Sequence, residues 1–300
     1  MLRIETITSL DRPELAPYRT LKRSAAHAEL GIFVVEGDKV LDRMLESDFT
    51  VVSVLLIEER LAEYEPRLRA RPETDIALYV CERSVMADMV GFEIYQGVLA
   101  IGKIPPPITL EKILADSARP RFFVAMDELS NSENVGALMR NCVAFGVGAL
   151  ISGETCCSPF LRRTVRNSMG ALFKLPVLVL GEPDAARWGE RPREPLASDG
   201  SRGRSPHPST LVETLRELRA HGVRCLAAHP HTDKKILSQA NFTGDVCVVF
   251  GSEGHGISPA VLAVCDEAVA IPMANDVDSL NVSAAAAVFF YEVNRQRGKS

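Results

Sequence analysis

The chain has 300 residues, enough for two domains with sizeable cores. Hydrophobic residues make up 46% and charged residues 24%, the composition of a soluble globular protein. A formal net charge of -5 excludes a polycation, so any nucleic-acid surface has to be a local patch.

In chain order, residues 1–103 read as one small α/β domain. The opening residues lack the apolar core of a secretory signal, and no apolar run approaches the ~18–20 residues that span a bilayer. Residues 12–30 predict a helix with basic positions at Arg19, Lys22 and Arg23. Residues 31–37 are an apolar run ending at glycine and predict a strand. Residues 38–46 carry helical spacing through Val40, Leu41, Met44 and Leu45. Further strands are expected at 51–57, 77–80 and 96–101. Pro105, Pro106 and Pro107 favour a stiff extended segment, which places a linker at 104–119.

Residues 120–300 alternate again. Strands are predicted at 122–126, 149–151, 175–180, 224–228, 246–250 and 267–271, and helices at 134–145, 159–169, 211–221 and 279–297. The strands are continuous apolar runs, which fits a largely parallel sheet covered on both faces. Residues 182–209 interrupt this pattern with five prolines, three glycines and five arginines, and read as a flexible insertion. The seven cysteines are scattered, with no Cys-x-x-Cys pair and no His/Cys cluster at zinc spacing. A reducing cytoplasm and no metal are therefore expected. His229-Pro230-His231 is the nearest approach to a ligand pair and reads as a surface turn.

Three segments carry polar chemistry beside residues that let a backbone approach a ligand. Asn134-Val135-Gly136-Ala137-Leu138-Met139-Arg140 opens a helix after a strand and a polar loop, with Asn131 and Ser132 as N-cap candidates. Positions six apart lie roughly 240° apart around a helix axis. Asn134 therefore projects from the first turn at the sheet's carboxyl edge, and Arg140 sits nearly two turns deeper. Phe250-Gly251-Ser252-Glu253-Gly254-His255-Gly256-Ile257-Ser258 runs from a strand into a glycine-rich loop. Glycine there removes the Cβ where an adenine or ribose could lie against the main chain. It is neither the dinucleotide fingerprint nor a Walker phosphate loop. Glu253 calls for a partner, and an arginine is the natural one. Ile271-Pro272-Met273 ends a strand. Ser279, a plausible N-cap, then leads through Leu280, Asn281, Val282 and Ser283 into an alanine-rich helix. Singly, each segment also reads as an ordinary capped helix or tight turn.

Together, in this order and spacing, the segments resemble the three motifs of the SpoU family of RNA 2'-O-ribose methyltransferases, in the SPOUT superfamily. The likeness spans 120–300. It includes the tract 158–177 with Arg162, Arg163 and Arg166. Residues 33–37 and 96–98 more weakly resemble the ribosomal-protein-like RNA-binding domain often attached to that family. The resemblance implies an α/β fold: a C-terminal parallel-sheet SPOUT domain with a deep trefoil knot, and a smaller N-terminal α/β RNA-binding domain. It implies S-adenosyl-L-methionine as cofactor, held around Gly251, Gly254, Ile271, Met273, Ser279 and Leu280. It also implies a homodimer acting on RNA, with Asn134, Arg140, Glu253, Ser279 and Asn281 as the catalytic set.

In this family the arginine is held to activate the ribose hydroxyl. Arginine's reference pKa is about 12.5–13.8, so work as a neutral base near pH 7 requires a drop of roughly six pH units, about 8 kcal/mol. Arg140 is therefore expected to stay cationic, orienting the hydroxyl or a phosphate, with the proton leaving through water or a phosphate oxygen. Arg19, Lys22, Arg23, Arg162, Arg163 and Arg166 are candidates to grip RNA. Spacings of three and four place the last three along one helical face. The separate N-terminal domain favours ribosomal over transfer RNA. A non-catalytic RNA-binding or ribosome-assembly protein that keeps the fold is the alternative.

Overall fold

The computed structural model of the chain describes residues 2–9, 11–90, 96–181, 210–230, 235–275 and 278–298. The expected insertion at 182–209 lies outside the described residues. In chain order the elements are β1 (Arg3–Thr6), α1 (Ala16–Arg19), α2 (Ser24–Glu29), β2 (Ile32–Glu36), α3 (Asp38–Leu45), β3 (Val51–Ile57), α4 (Leu61–Arg69), β4 (Ala77–Cys81), α5 (Arg83–Val90) and β5 (Val98–Lys103). There follow α6 (Leu110–Asp116), β6 (Phe122–Met126), α7 (Ser132–Ala144), β7 (Ala149–Ser152), α8 (Arg162–Asn167), β8 (Val177–Val179), α9 (Leu211–Ala220), β9 (Arg224–Ala228), β10 (Val246–Phe250), α10 (Pro259–Leu262), β11 (Glu267–Val269) and α11 (Val282–Gln296).

The chain forms two compact units. The first comprises Met1–Pro106 and Pro159–Lys174; the second holds Pro107–Ser158 and the described residues from Leu175 onward. Sequence spacing placed 159–174 in the second domain. In the structure Phe33 of β2 packs against Phe160 at 5.6 Å and Phe173 at 6.2 Å between ring centroids. Glu36, at the end of the same strand, accepts hydrogen bonds from Arg162 (2.5 Å) and Arg166 (2.9 Å). Aromatic burial and this ion cluster join α8 to the first unit, a long-range pairing that no local pattern announces.

The first unit is built on a mixed sheet in the order β1–β4–β3–β5–β2. β1, β4 and β3 run parallel, while β5 is antiparallel to both of its neighbours. The helix expected over 12–30 is broken. Thr20 Oγ1 folds back on Ala16 O at 2.9 Å and Arg23 N bonds Thr20 O at 2.7 Å, a turn between α1 and α2. Leu15, Tyr18 and Leu21 are still buried, so the apolar spacing survives the break. β1 is mostly exposed and carries no apolar signal, and α4 is masked in the sequence by Pro66 within it.

The second unit has a six-stranded sheet in the order β11–β9–β10–β6–β7–β8, with every neighbouring pair parallel. β10 and β6 are wholly buried at its centre, as their uninterrupted apolar sequences require. The expected linker 104–119 holds α6, capped by the Thr109 hydroxyl, and Leu110, Ile113 and Leu114 enter the core. The three prolines end just before it. The strand order runs outward from β6 to β8, then returns across to β9 and places β10 between β9 and β6. That reversal opens a crevice at the carboxyl ends of β6 and β10, where ligands bind in open parallel sheets.

Candidate active site

Two loops leave the sheet side by side at this crevice. After β6, Asp127 N–H bonds Phe250 O at 2.9 Å, and the Asp127 carboxylate accepts the Ser258 N–H at 2.7 Å. Asn131 then caps α7, its Oδ1 accepting from Glu133 N (2.8 Å) and Asn134 N (3.2 Å). This fixes the first turn and buries Asn134 at the sheet edge. After β10, Ser252 and Gly256 exchange two main-chain hydrogen bonds of 2.9 Å and close a tight loop around Glu253. A Cβ on Gly251 would collide with the main chain of Gly256 and Ile257, so only glycine permits that closure.

The third contribution comes from the start of α11. Its N-cap is Asn281, not Ser279: Asn281 Oδ1 accepts from Ser283 N at 2.9 Å and from Ser283 Oγ at 2.6 Å. The helix begins at Val282, so Ser279 falls in the approaching loop. With its oxygen committed to the cap, the Asn281 amide nitrogen donates outward. It bonds Glu253 Oε1 and Asn134 Oδ1, each at 3.0 Å, and Asn134 Nδ2 donates to the same Glu253 oxygen at 2.6 Å.

Asn134, Glu253 and Asn281 thus form a closed polar triangle from three distant parts of the chain. The arginine expected beside Glu253 is not its partner: two neutral amides meet the carboxylate, which stays exposed at the rim. Hydrogen bonds to an ionised acceptor are the stronger kind and fix the group's orientation. Arg140 lies on the exposed side of α7 and makes no hydrogen bond or ion pair with any described residue. The structure brings Asn134, Glu253 and Asn281 together; Arg140 and Ser279 stand outside that hydrogen-bonded set.

Beside the triangle is a cavity of about 440 Å³. Gly251, Gly254, Ile271, Met273, Ser279 and Leu280, picked out from the sequence, all line it. Glu253 lines it too. Sequence reasoning missed several other lining residues: His229 after β9, Phe250, Asp278 and Phe289, with Ser252 and His255 in the glycine loop. The floor is aromatic and apolar: Phe250 meets Phe289 edge-on at 5.7 Å and Phe290 at 5.9 Å between ring centroids. Volume, apolar floor, glycine wall and a few convergent polar groups suit a small-molecule ligand of nucleoside size.

The basic candidates lie in the first unit. Arg19, Lys22, Arg23, Arg163 and Arg166 are exposed, with Arg19 at 3.6 Å from Asp11. Two of the three arginines expected to share one RNA-gripping face are engaged within the unit. Arg162, whose side chain is only 15% exposed, and Arg166 both answer the Glu36 carboxylate.

Comparison with known proteins adds the following. A family model described as the SpoU rRNA Methylase family matches residues 121–188 and 197–291. An uncharacterized tRNA/rRNA methyltransferase of Mycobacterium tuberculosis is 31% identical, over 98% of this chain and 93% of its own. A 23S rRNA (guanosine-2'-O-)-methyltransferase of Vibrio vulnificus is 26% identical, over 77% of this chain and 83% of its own. Among solved structures, the SpoU methyltransferase AviRb from Streptomyces viridochromogenes, in complex with the cofactor AdoMet, shares the fold. Its TM-score is 0.75 at 23% identity, covering 96% of this chain and all of the other.

Proposed function

The chain belongs to the SpoU rRNA Methylase family, and from that premise we propose that it methylates a ribose 2'-hydroxyl of RNA with S-adenosyl-L-methionine as donor. The observation that carries this reading is the Asn134–Glu253–Asn281 triangle on the rim of a glycine-walled cavity. Gly251, Ile271 and Leu280 would hold the cofactor through their main chain, with Gly254, Met273 and Ser279 beside them. The cradle fits because Gly251 lacks the Cβ that would force the loop open. When bound, S-adenosylmethionine supplies a methyl group activated on a cationic sulfur.

This chain's own residues do the positioning. Glu253, held by two amides, takes the ribose at the cavity mouth, with Asn134 and Asn281 fixing the carboxylate. Arg140 stays cationic, orients a phosphate or the hydroxyl and stabilises charge developing on oxygen. Holding the hydroxyl in line with the methyl group accounts for much of the acceleration. Arg19, Lys22, Arg23 and Arg163 serve RNA from the first unit. Ribosomal RNA is favoured over transfer RNA, supported by a separate first unit with its own core and by the Vibrio relative's name. The reading carries with it the homodimer and the C-terminal trefoil knot that the resemblance implies.

The test pairs two measurements. Calorimetry with S-adenosylmethionine gives saturable binding, and mapping 2'-O-methyl sites in total RNA of a deletion strain shows one site lost and regained on complementation. Cofactor binding with no site lost would favour the assembly-factor reading instead.

A further inference from the structure

Glu253 is oriented by two amides that belong to different helices, Asn134 of α7 and Asn281 at the cap of α11. Asn134 is held from below: it is buried, and its N–H is tied to the Asn131 cap at 3.2 Å. Asn281 is exposed, and its direction depends on the first turn of α11. The N–H groups of a first turn lack intrahelical partners, and helix ends fray. A misplacement of about 1 Å at a reacting centre can cost roughly 10²-fold in rate. Whatever pins that turn therefore bears on the chemistry.

The geometry points to Asn141 as a positioning residue that sets the Asn281 amide, an inference that rests on the methyltransferase reading above. Asn134 and Asn141 are seven residues apart, about 20° short of two full turns, so α7 presents both on one stripe. Both reach the start of α11. Asn134 Oδ1 accepts from Asn281 Nδ2 at 3.0 Å, and the half-buried Asn141 donates from Nδ2 to Ser283 O at 2.6 Å. Ser283 is in turn the residue that holds the Asn281 oxygen, through its N–H at 2.9 Å and its hydroxyl at 2.6 Å. Resonance keeps an amide planar, so fixing the Asn281 oxygen also aims its nitrogen. The relay thus runs from Asn141 to Ser283, from Ser283 to the Asn281 oxygen, and across the amide to the nitrogen that meets Glu253. Arg140 directly precedes Asn141, so the helix that carries the cation is also the frame to which the amide is referenced. Further along the same seam, Asn294 Nδ2 bonds Phe145 O at 3.0 Å and Phe145 meets Phe290 at 6.0 Å between ring centroids. Those contacts keep α7 and α11 packed without Asn141, so its loss is felt at the site end of the pair.

The experiment is single-turnover transfer of tritiated methyl from S-adenosylmethionine to total RNA of the deletion strain, with the full-length protein and saturating cofactor. N141A lowers the rate roughly 10–10²-fold. N141D, which keeps the shape but loses the donor, falls as far; N141Q, which carries the donor on a longer arm, regains part of the rate. A double-mutant cycle with N281S tests the route, because serine keeps a capping oxygen but removes the amide donor. In the N281S background N141A costs less than about twofold, since the path to Glu253 is already cut. Independently of turnover, the nuclear magnetic resonance signals of the Asn281 side-chain amide move towards those of a solvated amide in N141A. An N141A enzyme with the wild-type rate, or a loss that multiplies in full with that of N281S, overturns the inference and leaves the methyltransferase reading standing. Wild-type protein that neither labels RNA nor binds S-adenosylhomocysteine overturns the methyltransferase reading, and the amide signals then still decide whether Asn141 sets Asn281.

Discussion

Glu36 and Glu253 each stand before a glycine near the carboxyl end of a buried strand, yet their surroundings are opposite. Glu36 is buried, with Arg162 and Arg166 on its two oxygens. Glu253 is exposed, and one of its oxygens receives two neutral amides. In the first unit, opposite charges compensate each other and the ion cluster fastens α8 to β2. In the second, the carboxylate is oriented without being neutralised, and the Arg140 cation has no described counter-charge. Compensated charge builds structure; oriented but uncompensated charge is available to a ligand.

The sharpest way to break that contrast is Arg140→Ala. If Arg140 acts only on developing charge, methyl transfer falls about 10²–10³-fold, roughly 2.7–4 kcal/mol. Unfolding stability should meanwhile stay within about 0.5 kcal/mol of wild type, as for an exposed side chain with no partner. Single-turnover rates and urea melts read the two effects separately. A large loss of stability would place Arg140 on the structural side of the contrast. Arg140→Lys is the finer probe: a near-normal rate with a new pKa near about 8–10 would mean that the side chain titrates as a base rather than acting as a fixed cation.

Glu36→Ala should do the reverse. Removing one partner of a buried ion cluster typically costs about 3–5 kcal/mol. The lower end is expected here, because the Arg166 side chain is 60% exposed and regains water, whereas that of Arg162 is 15% exposed and does not. Urea unfolding followed by circular dichroism measures the loss, and binding of S-adenosylmethionine serves as the control that stays unchanged. Equal loss in both units would mean that α8 is not fastened locally.

Legibility in the sequence divides along the same line. The strand bounds expected at 51–57, 122–126, 224–228 and 246–250 coincide with β3, β6, β9 and β10, because a buried strand writes itself as a continuous apolar run. The helix expected over 159–169 is present as α8, but attachments that depend on distant residues left no local signal. α8 depends on Phe33 and Glu36, far away in sequence, and α6 was hidden behind three prolines. β1 is an edge strand with no apolar signal. At the site, Asn134, Glu253 and Asn281 were legible as residue types within motifs. Their mutual hydrogen bonds were not, since they span 119, 147 and 28 residues. Ser279 was chosen as the cap on composition alone. Asn281 is the cap because its oxygen reaches Ser283 while its nitrogen is left for Glu253.

The smallest predicted effect tests how the Glu36 cluster is balanced. His27 is buried in the first unit, with Nε2 at 3.1 Å from Pro17 O and 3.2 Å from Thr20 Oγ1. A carbonyl only accepts, so Nε2 is the donor in that bond. Burial pushes the His27 pKa below its ordinary value; the Pro17 carbonyl pulls the other way and the charge of Arg162 lowers it further. The sign follows from linkage. Above about pH 6.5 both the folded and unfolded forms are neutral and the full stability is present. As pH falls, the unfolded chain takes the proton first, and stability is lost down through the folded pKa. His27→Gln should therefore flatten the fall in unfolding free energy between about pH 7 and 5. Glu36 is the charge that offsets Arg162, so Glu36→Ala exposes His27 to an uncompensated cation and should move its titration to lower pH. A ring titration by nuclear magnetic resonance reads this directly. A shift to higher pH would mean that Arg162 follows its lost partner into solvent, and that the cluster holds α8 by packing rather than by charge.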